Sequence, residues 1–150
     1  MSSDGRTLAL TLVLLTHVAS RSGSAQPADD NRMHTRRMTV TVTPDAGSAT
    51  VPSHTDTEVQ FVIDSQGLTG SVNYGITIEQ CAGSGLASGS TCTPVPTGVT
   101  LNQNTTSALV KIRFRSSGSG TIAIEIRATA EFNLFDTDQG SQLVTVVTPR

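Results

Sequence analysis

The sequence predicts an all-β protein of seven to eight short strands arranged in two antiparallel sheets packed face to face. Three observations carry that prediction. From residue 38 onward, apolar and polar side chains alternate with a period of two, the spacing at which one face of a strand is buried. Such runs recur at intervals of about 8–12 residues, the rhythm of a sandwich or barrel, with Gly, Ser, Asn, Asp and Pro between them. Charged residues make up only 15 % of the chain, against roughly a quarter in an ordinary domain. No segment carries a helical period.

Met38–Thr43 alternates Val40 and Val42 with threonines, and Pro44-Asp45-Ala46-Gly47 supplies a turn before the short run Ala49–Val51, which Pro52 ends. Glu58–Asp64 sets Val59, Phe61 and Ile63 on one face, as expected of a central strand. Ser71–Glu79 does the same with Val72, Tyr74, Ile76 and Ile78. A Gly/Ser-rich loop covers Ala82–Ser90, and Val99 with Leu101 forms a short strand before the turn Asn102–Thr105. Ala108, Val110, Ile112 and Phe114 then share a face opposite Leu109, Lys111, Arg113 and Arg115. After Ser116–Gly120 the pattern repeats in Ile122, Ile124, Ile126 and Ala128, and Leu143–Val147 closes the domain. Phe61, Tyr74, Ile112, Phe114, Ile124 and Ile126 are expected in one core.

Met38-Thr-Val-Thr-Val-Thr-Pro-Asp, the Cys81-Ala-Gly-Ser-Gly…Thr-Cys92 segment and Gly98-Val-Thr-Leu…Ala-Leu-Val-Lys-Ile resemble the bacterial immunoglobulin-like domains of secreted and cell-surface proteins, over about residues 38–148. The resemblance implies an immunoglobulin-like sandwich used as a spacer, stalk or adhesive element. The chain departs from antibody-type domains in having no Trp and no tyrosine on its penultimate strand, and its cysteines do not join the two central strands. Tyr74 is expected to take the core place of the missing Trp.

Ahead of that domain, Arg6 followed by the apolar run Leu8–Val18 has the form and length of a secretion signal, residues 1–25, with cleavage after Gly23-Ser24-Ala25. The run is broken by Thr11, Thr16 and His17 and falls short of the roughly 20 apolar residues of a membrane span, so an anchor is the weaker reading. Residues 26–37 mix charge and polarity without an apolar period and are expected to form a flexible leader. A net charge of −2 argues against nucleic-acid partners, and no membrane insertion is expected once the signal is removed.

Cys81 and Cys92 are the only cysteines, and an even count in an exported chain is read as a disulfide. A free-thiol or metal reading is the alternative, but two thiolates without neighbouring histidines do not fill a zinc site. The bond is expected to staple the end of a loop, not the two sheets. His34 and His54 are the histidines that survive processing, and Asp64, Glu79, Glu125 and Glu131 lie apart in the pattern. Neither set suggests a catalytic pair. Asp136-Thr-Asp138-Gln-Gly140 resembles a fragment of a calcium loop, with turn chemistry as the competing explanation and Asn133 able to serve either. No cofactor is expected. Asn104-Thr105-Thr106 is a glycosylation sequon in a turn, and the low aromatic content, 3 %, disfavours a lectin. Lys111, Arg113 and Arg115, with Arg127 near them, are expected to form a basic stripe, either a solvated face that discourages edge pairing or a site for an acidic partner.

The function expected is a non-catalytic extracellular or cell-surface module acting as spacer, structural or adhesion element. The alternative is a pilin-like fibre subunit that self-associates by donating a strand, for which the leader and the Met38–Thr43 strand would be suited. The topology turns on Ser116–Gly120. As a hairpin it would set Lys111 opposite Glu125 in one sheet. As an arch, the reading favoured because no Asn-Gly or Asp-Gly tight-turn signal is present, it would carry the chain between sheets.

Overall fold

Nine strands build the domain: β1 (Thr39–Pro44), β2 (Ala49–Pro52), β3 (Asp56–Gln66), β4 (Val72–Ala82), β5 (Thr93–Val95), β6 (Gly98–Leu101), β7 (Ser107–Arg115), β8 (Gly120–Ala130) and β9 (Asn133–Val147). They are seen in a computed structural model that describes residues 38–150. The signal and leader expected for 1–37 lie outside the described residues. One sheet has the order β1-β3-β7-β5 and the other β2-β9-β8-β4-β6.

The ninth strand, absent from the pattern, is β5: three residues centred on Pro94, too short to show alternation and with one amide removed from the ladder. β7 and β8 lie in different sheets, so Ser116–Gly120 is the arch. Its anchor is Ser116, 1 % exposed, whose amide donates to Thr55 O at 2.9 Å and whose hydroxyl donates to Pro52 O at 2.7 Å. Lys111 and Glu125 are accordingly in separate sheets, and Lys111 pairs with Glu58 across the β3–β7 ladder.

Alternation sets the core. Phe61, Tyr74, Ile112, Ile124 and Ile126 are fully buried and Phe114 is 4 % exposed, so all six expected residues meet between the sheets. The N-terminal strand changes sheets at the Pro44–Gly47 turn: β1 runs antiparallel to β3, and β2 runs parallel to β9.

Cys81 and Cys92 are bonded, but the expectation that they merely tie a loop needs correcting. Cys81 belongs to β4 of the larger sheet, while Cys92 is buried just ahead of β5 in the smaller one, so the bond crosses between sheets at their margin. A β-bulge makes this reachable. Simple alternation from Ile78 would turn Cys81 outward, but the register against β8 shifts between Ile78 and Gln80, so that Cys81 sits opposite the fully buried Ile124. Eleven residues of sequence separate the cysteines. Closing that loop in the unfolded chain gives a stabilisation of about 2–3 kcal/mol in the chain-entropy model. The double substitution Cys81→Ser, Cys92→Ser should lower stability by that amount in urea titrations under non-reducing conditions. An unchanged midpoint would show that the bond constrains nothing.

Candidate functional site: a polar seam along β9

The inward face of β9 carries Val146 and Val144 at its C-terminal end, both buried. The same parity then continues through Gln142, Gly140, Asp138 and Asp136, so the strand keeps its period while changing chemistry. These four residues line the open side of β1. Asp136 Oδ1 accepts from Val40 N at 2.8 Å and Asp138 Oδ2 from Val42 N at 2.7 Å. Two carboxylates spaced by two residues thus receive two amides spaced by two residues, in the place of another strand's carbonyls. At Gly140 a Cβ would lie 2.7 Å from Val42 O, so only glycine lets the backbones come this close. Gln142 Nε2 donates to Ala46 O at 2.8 Å and fixes the turn after β1.

Asp136 is 5 % exposed and its second oxygen accepts the Tyr74 hydroxyl proton at 2.7 Å. With that proton committed, Ser65 Oγ, 2.8 Å from the Tyr74 oxygen, is the donor to it. Burial, together with the neighbouring Asp136 carboxylate and against the opposing effect of the Ser65 bond, pushes the Tyr74 phenol up to about 12. Tyr74 therefore keeps its proton at neutral pH. Ser65 and Tyr74 are both fully buried, so the line Ser65–Tyr74–Asp136 offers solvent no nucleophile. Its chemistry is that of a clamp joining β3, β4 and β9 and holding β1.

Asp136 and Asp138 were expected in a loop, whether for calcium or as a turn; both lie within β9, and the turn reading is corrected. Turn residues of the Asp/Gly type were read where inward parity in fact demanded acceptors for β1. Both Asp136 oxygens and one of Asp138 are bonded as above, and among the described residues no group of three or more His, Cys, Asp or Glu gathers to hold a metal ion. Asn133 opens β9, and its Oδ1 accepts from Phe135 N at 3.2 Å.

The basic stripe is also placed differently. β7 is an interior strand between β3 and β5, so guarding an edge is not its task. Its cations meet acids on β3: Lys111 and Arg113 both reach Glu58, and Arg115 reaches Asp56. The Lys111 ammonium bonded to Glu58 holds that carboxyl below the usual range against a desolvation effect that opposes it, and Arg113 adds to the lowering. Arg127 lies in the other sheet, 3.2 Å from Glu79. A shallow groove beside loop residues 89–91 is lined by these same Asp56, Glu58, Arg113 and Arg115 charges, which face one another. Asp64 and Glu125 sit on strands of different sheets and Glu131 follows β8 in its turn, so the structure does not bring them together. His54 is in the β2–β3 turn with φ of 56°, and His34 lies outside the described residues. Asn104 of the sequon is exposed in the β6–β7 turn.

No family model and no curated protein sequence matches the chain. Among solved structures it is similar to an ASH / PapD-like domain of human CEP192, at 11 % identity and a TM-score of 0.44, covering 77 % of this chain and 87 % of that one. It is similar also to the secreted serine protease VesC from Vibrio cholerae, at 10 % identity and a TM-score of 0.45, covering 83 % of this chain and 25 % of that one. A third similarity is to BslA, a bacterial hydrophobin, at 10 % identity and a TM-score of 0.33, covering 75 % of this chain and 95 % of that one. None of these likenesses bears on what the chain does, and its two-sheet sandwich rests on its own strand order.

Proposed function

We propose that the chain is a non-catalytic module of a secreted or cell-surface protein, bacterial in type, that acts as a spacer or structural element and presents its surface for adhesion. The observation that carries this reading is the direction of the terminal strands. β2 runs parallel to β9, and the bonds from Val40 to Asp136 and from Val42 to Asp138 set β1 parallel to it as well. The domain is entered beside the start of β9 and left at its end, roughly 35–40 Å away at about 3.3 Å per residue. A module with entry and exit at opposite ends extends a chain. The disulfide fits an oxidising compartment, which supports export.

The fibre alternative is less well supported. It needs β1 to be exchanged between subunits, yet β1 is held in its own chain by β3 on one side and two carboxylates on the other. The remaining sheet edges, β2, β5 and β6, are four residues or fewer, and Pro52 and Pro94 interrupt two of them.

Pulling the domain from its two ends between reference domains tests the spacer reading. Force loads the parallel β2–β9 pairing in shear, and a single cooperative rupture is expected. The chain released in that rupture should grow on reduction by the eleven-residue interval that the disulfide locks. Gradual extension without a rupture peak would show a domain that does not bear load.

A further inference from the structure

The outward face of the smaller sheet holds positive charge that its own acids leave incompletely paired. Lys111 has the closest hold on Glu58, so Arg113 reaches that carboxylate only through Nε at 3.4 Å, and Arg115 reaches Asp56 only through Nη1 at 3.5 Å. Both distances exceed the roughly 2.7–2.9 Å of a well-made charged hydrogen bond. Among the described residues the remaining guanidinium nitrogens, Nη1 and Nη2 of Arg113 and Nε and Nη2 of Arg115, have no partner. Both side chains are more than half exposed. They stand two residues apart on one face of β7, about 6.6 Å along the strand. The groove they line has a volume of about 840 Å³, within the roughly 300–1,000 Å³ of small-ligand sites.

The construction of the groove narrows its ligand. β7 is an interior strand, and past the end of β5 the Arg115 amide donates to Ser90 Oγ while its carbonyl accepts from Ala87 N, so the floor offers no open edge on which a peptide could extend the sheet. Among the lining residues only Phe114 is large and apolar, and it is buried, so the apolar anchor of a protein interface is missing. The wall opposite β3 is Gly89, Ser90 and Thr91, with open space where a side chain on Gly89 would stand. Asp56 and Glu58 share the groove and would repel a polymer charged at every step, such as a nucleic acid. A ligand that spaces its carboxylates with neutral hydroxyls suits both the arginines and the hydroxyl-bearing wall, and a planar guanidinium with two free N–H groups matches a carboxylate in shape as well as charge. We propose that this groove binds an acidic polysaccharide, with uronate carboxylates on Arg113 and Arg115 and sugar hydroxyls against the 89–91 loop. The low aromatic content that disfavours a lectin bears on stacking against sugar rings; a uronate is held by its charge instead. The proposal rests on the adhesive part of the reading above and gives it a ligand.

Galacturonic acid oligomers titrated calorimetrically into the full chain at low salt should bind, and more weakly as salt rises. Their methyl esters keep the hydroxyls and lose the charge, and should not bind. Oligoglutamate keeps the charge and lacks the hydroxyls, and should bind much more weakly than the uronate. Arg113→Gln and Arg115→Gln should each weaken uronate binding roughly tenfold, the scale of one charged hydrogen bond, with the thermal midpoint unchanged because exposed ion pairs add little to stability. Asp56→Asn releases Arg115 and should strengthen binding severalfold, a gain that a merely structural arginine would not show. Equal binding of the methyl esters would take the arginines out of the contact. Oligoglutamate bound as tightly as the uronate would make the groove a site for acidic peptides, and no binding at all would leave these charges a solvated face. Each of these three outcomes overturns the proposal, and none touches the spacer reading, which the pulling experiment tests by itself.

Discussion

Phe61→Ala is expected to lower the unfolding free energy by about 3–5 kcal/mol, the range for emptying a buried phenylalanine site. Phe61 is fully buried on β3, the strand flanked by β1 and β7 in the smaller sheet, and its ring contributes to the core that both sheets share. The close packing of an interior leaves little room for β1 to collapse into the space, since that strand is tied to β9 on its far side. Phe135→Ala is the internal comparison. The same deletion at a site 93 % exposed should change stability by less than about 0.5 kcal/mol. Urea denaturation of the two variants measures both. Similar losses at the two positions would mean that the inward and outward faces had been confused.

Asp136→Ala should cost about 3–5 kcal/mol as well, for a different reason. It leaves two buried donors, Val40 N and the Tyr74 hydroxyl, without their acceptor. Hydrogen bonds to a charged group contribute about 1.5–3 kcal/mol each, and part of that is offset because a desolvated carboxylate has also been removed. Asp136→Asn should lose less, since its amide oxygen still accepts from Val40. Hydrogen exchange localises the effect: in the alanine variant the amides of Val40 and Val42 should open well before those of β8. A loss under 1 kcal/mol with unchanged exchange at Val40 would show that β1 is held by its β3 ladder alone.

These two residues also mark how far the sequence could be read. Phe61 was legible because apolar burial writes itself as alternation, and the same signal placed Tyr74, Ile112, Phe114, Ile124 and Ile126 in the core. The arch after β7 was legible from what Ser116–Gly120 lacks, a tight-turn dipeptide. Asp136 was not legible, since hydrophobic periodicity ends at Val144 although the geometric period does not. Gln142, Gly140, Asp138 and Asp136 keep the parity with polar or absent side chains, and such a stretch reads as a loop. Counting back in twos from Val146 was the signal available. Cys81 escaped for a related reason: it was read as the end of a loop, and one bulge residue in β4 reverses the direction that alternation from Ile78 would give it. The pairing of Lys111 with Glu58 depends on which strands are neighbours, and alternation carries no information about that. Phe132 and Phe135 stand outside every apolar period, so nothing in the pattern distinguished them from ordinary turn residues.

On the proposed reading the first strand stays in its own chain, held by the seam, and the remaining sheet edges are too short to pair with another copy. Sedimentation equilibrium of the purified chain over a hundredfold range of concentration tests this most directly. One species is expected throughout, with the mass of a single chain, 15.6 kDa for all 150 residues. Dimers or longer polymers that grow with concentration, and that disappear when the Thr39–Pro44 strand is deleted, would instead mean that β1 is passed from one copy to the next.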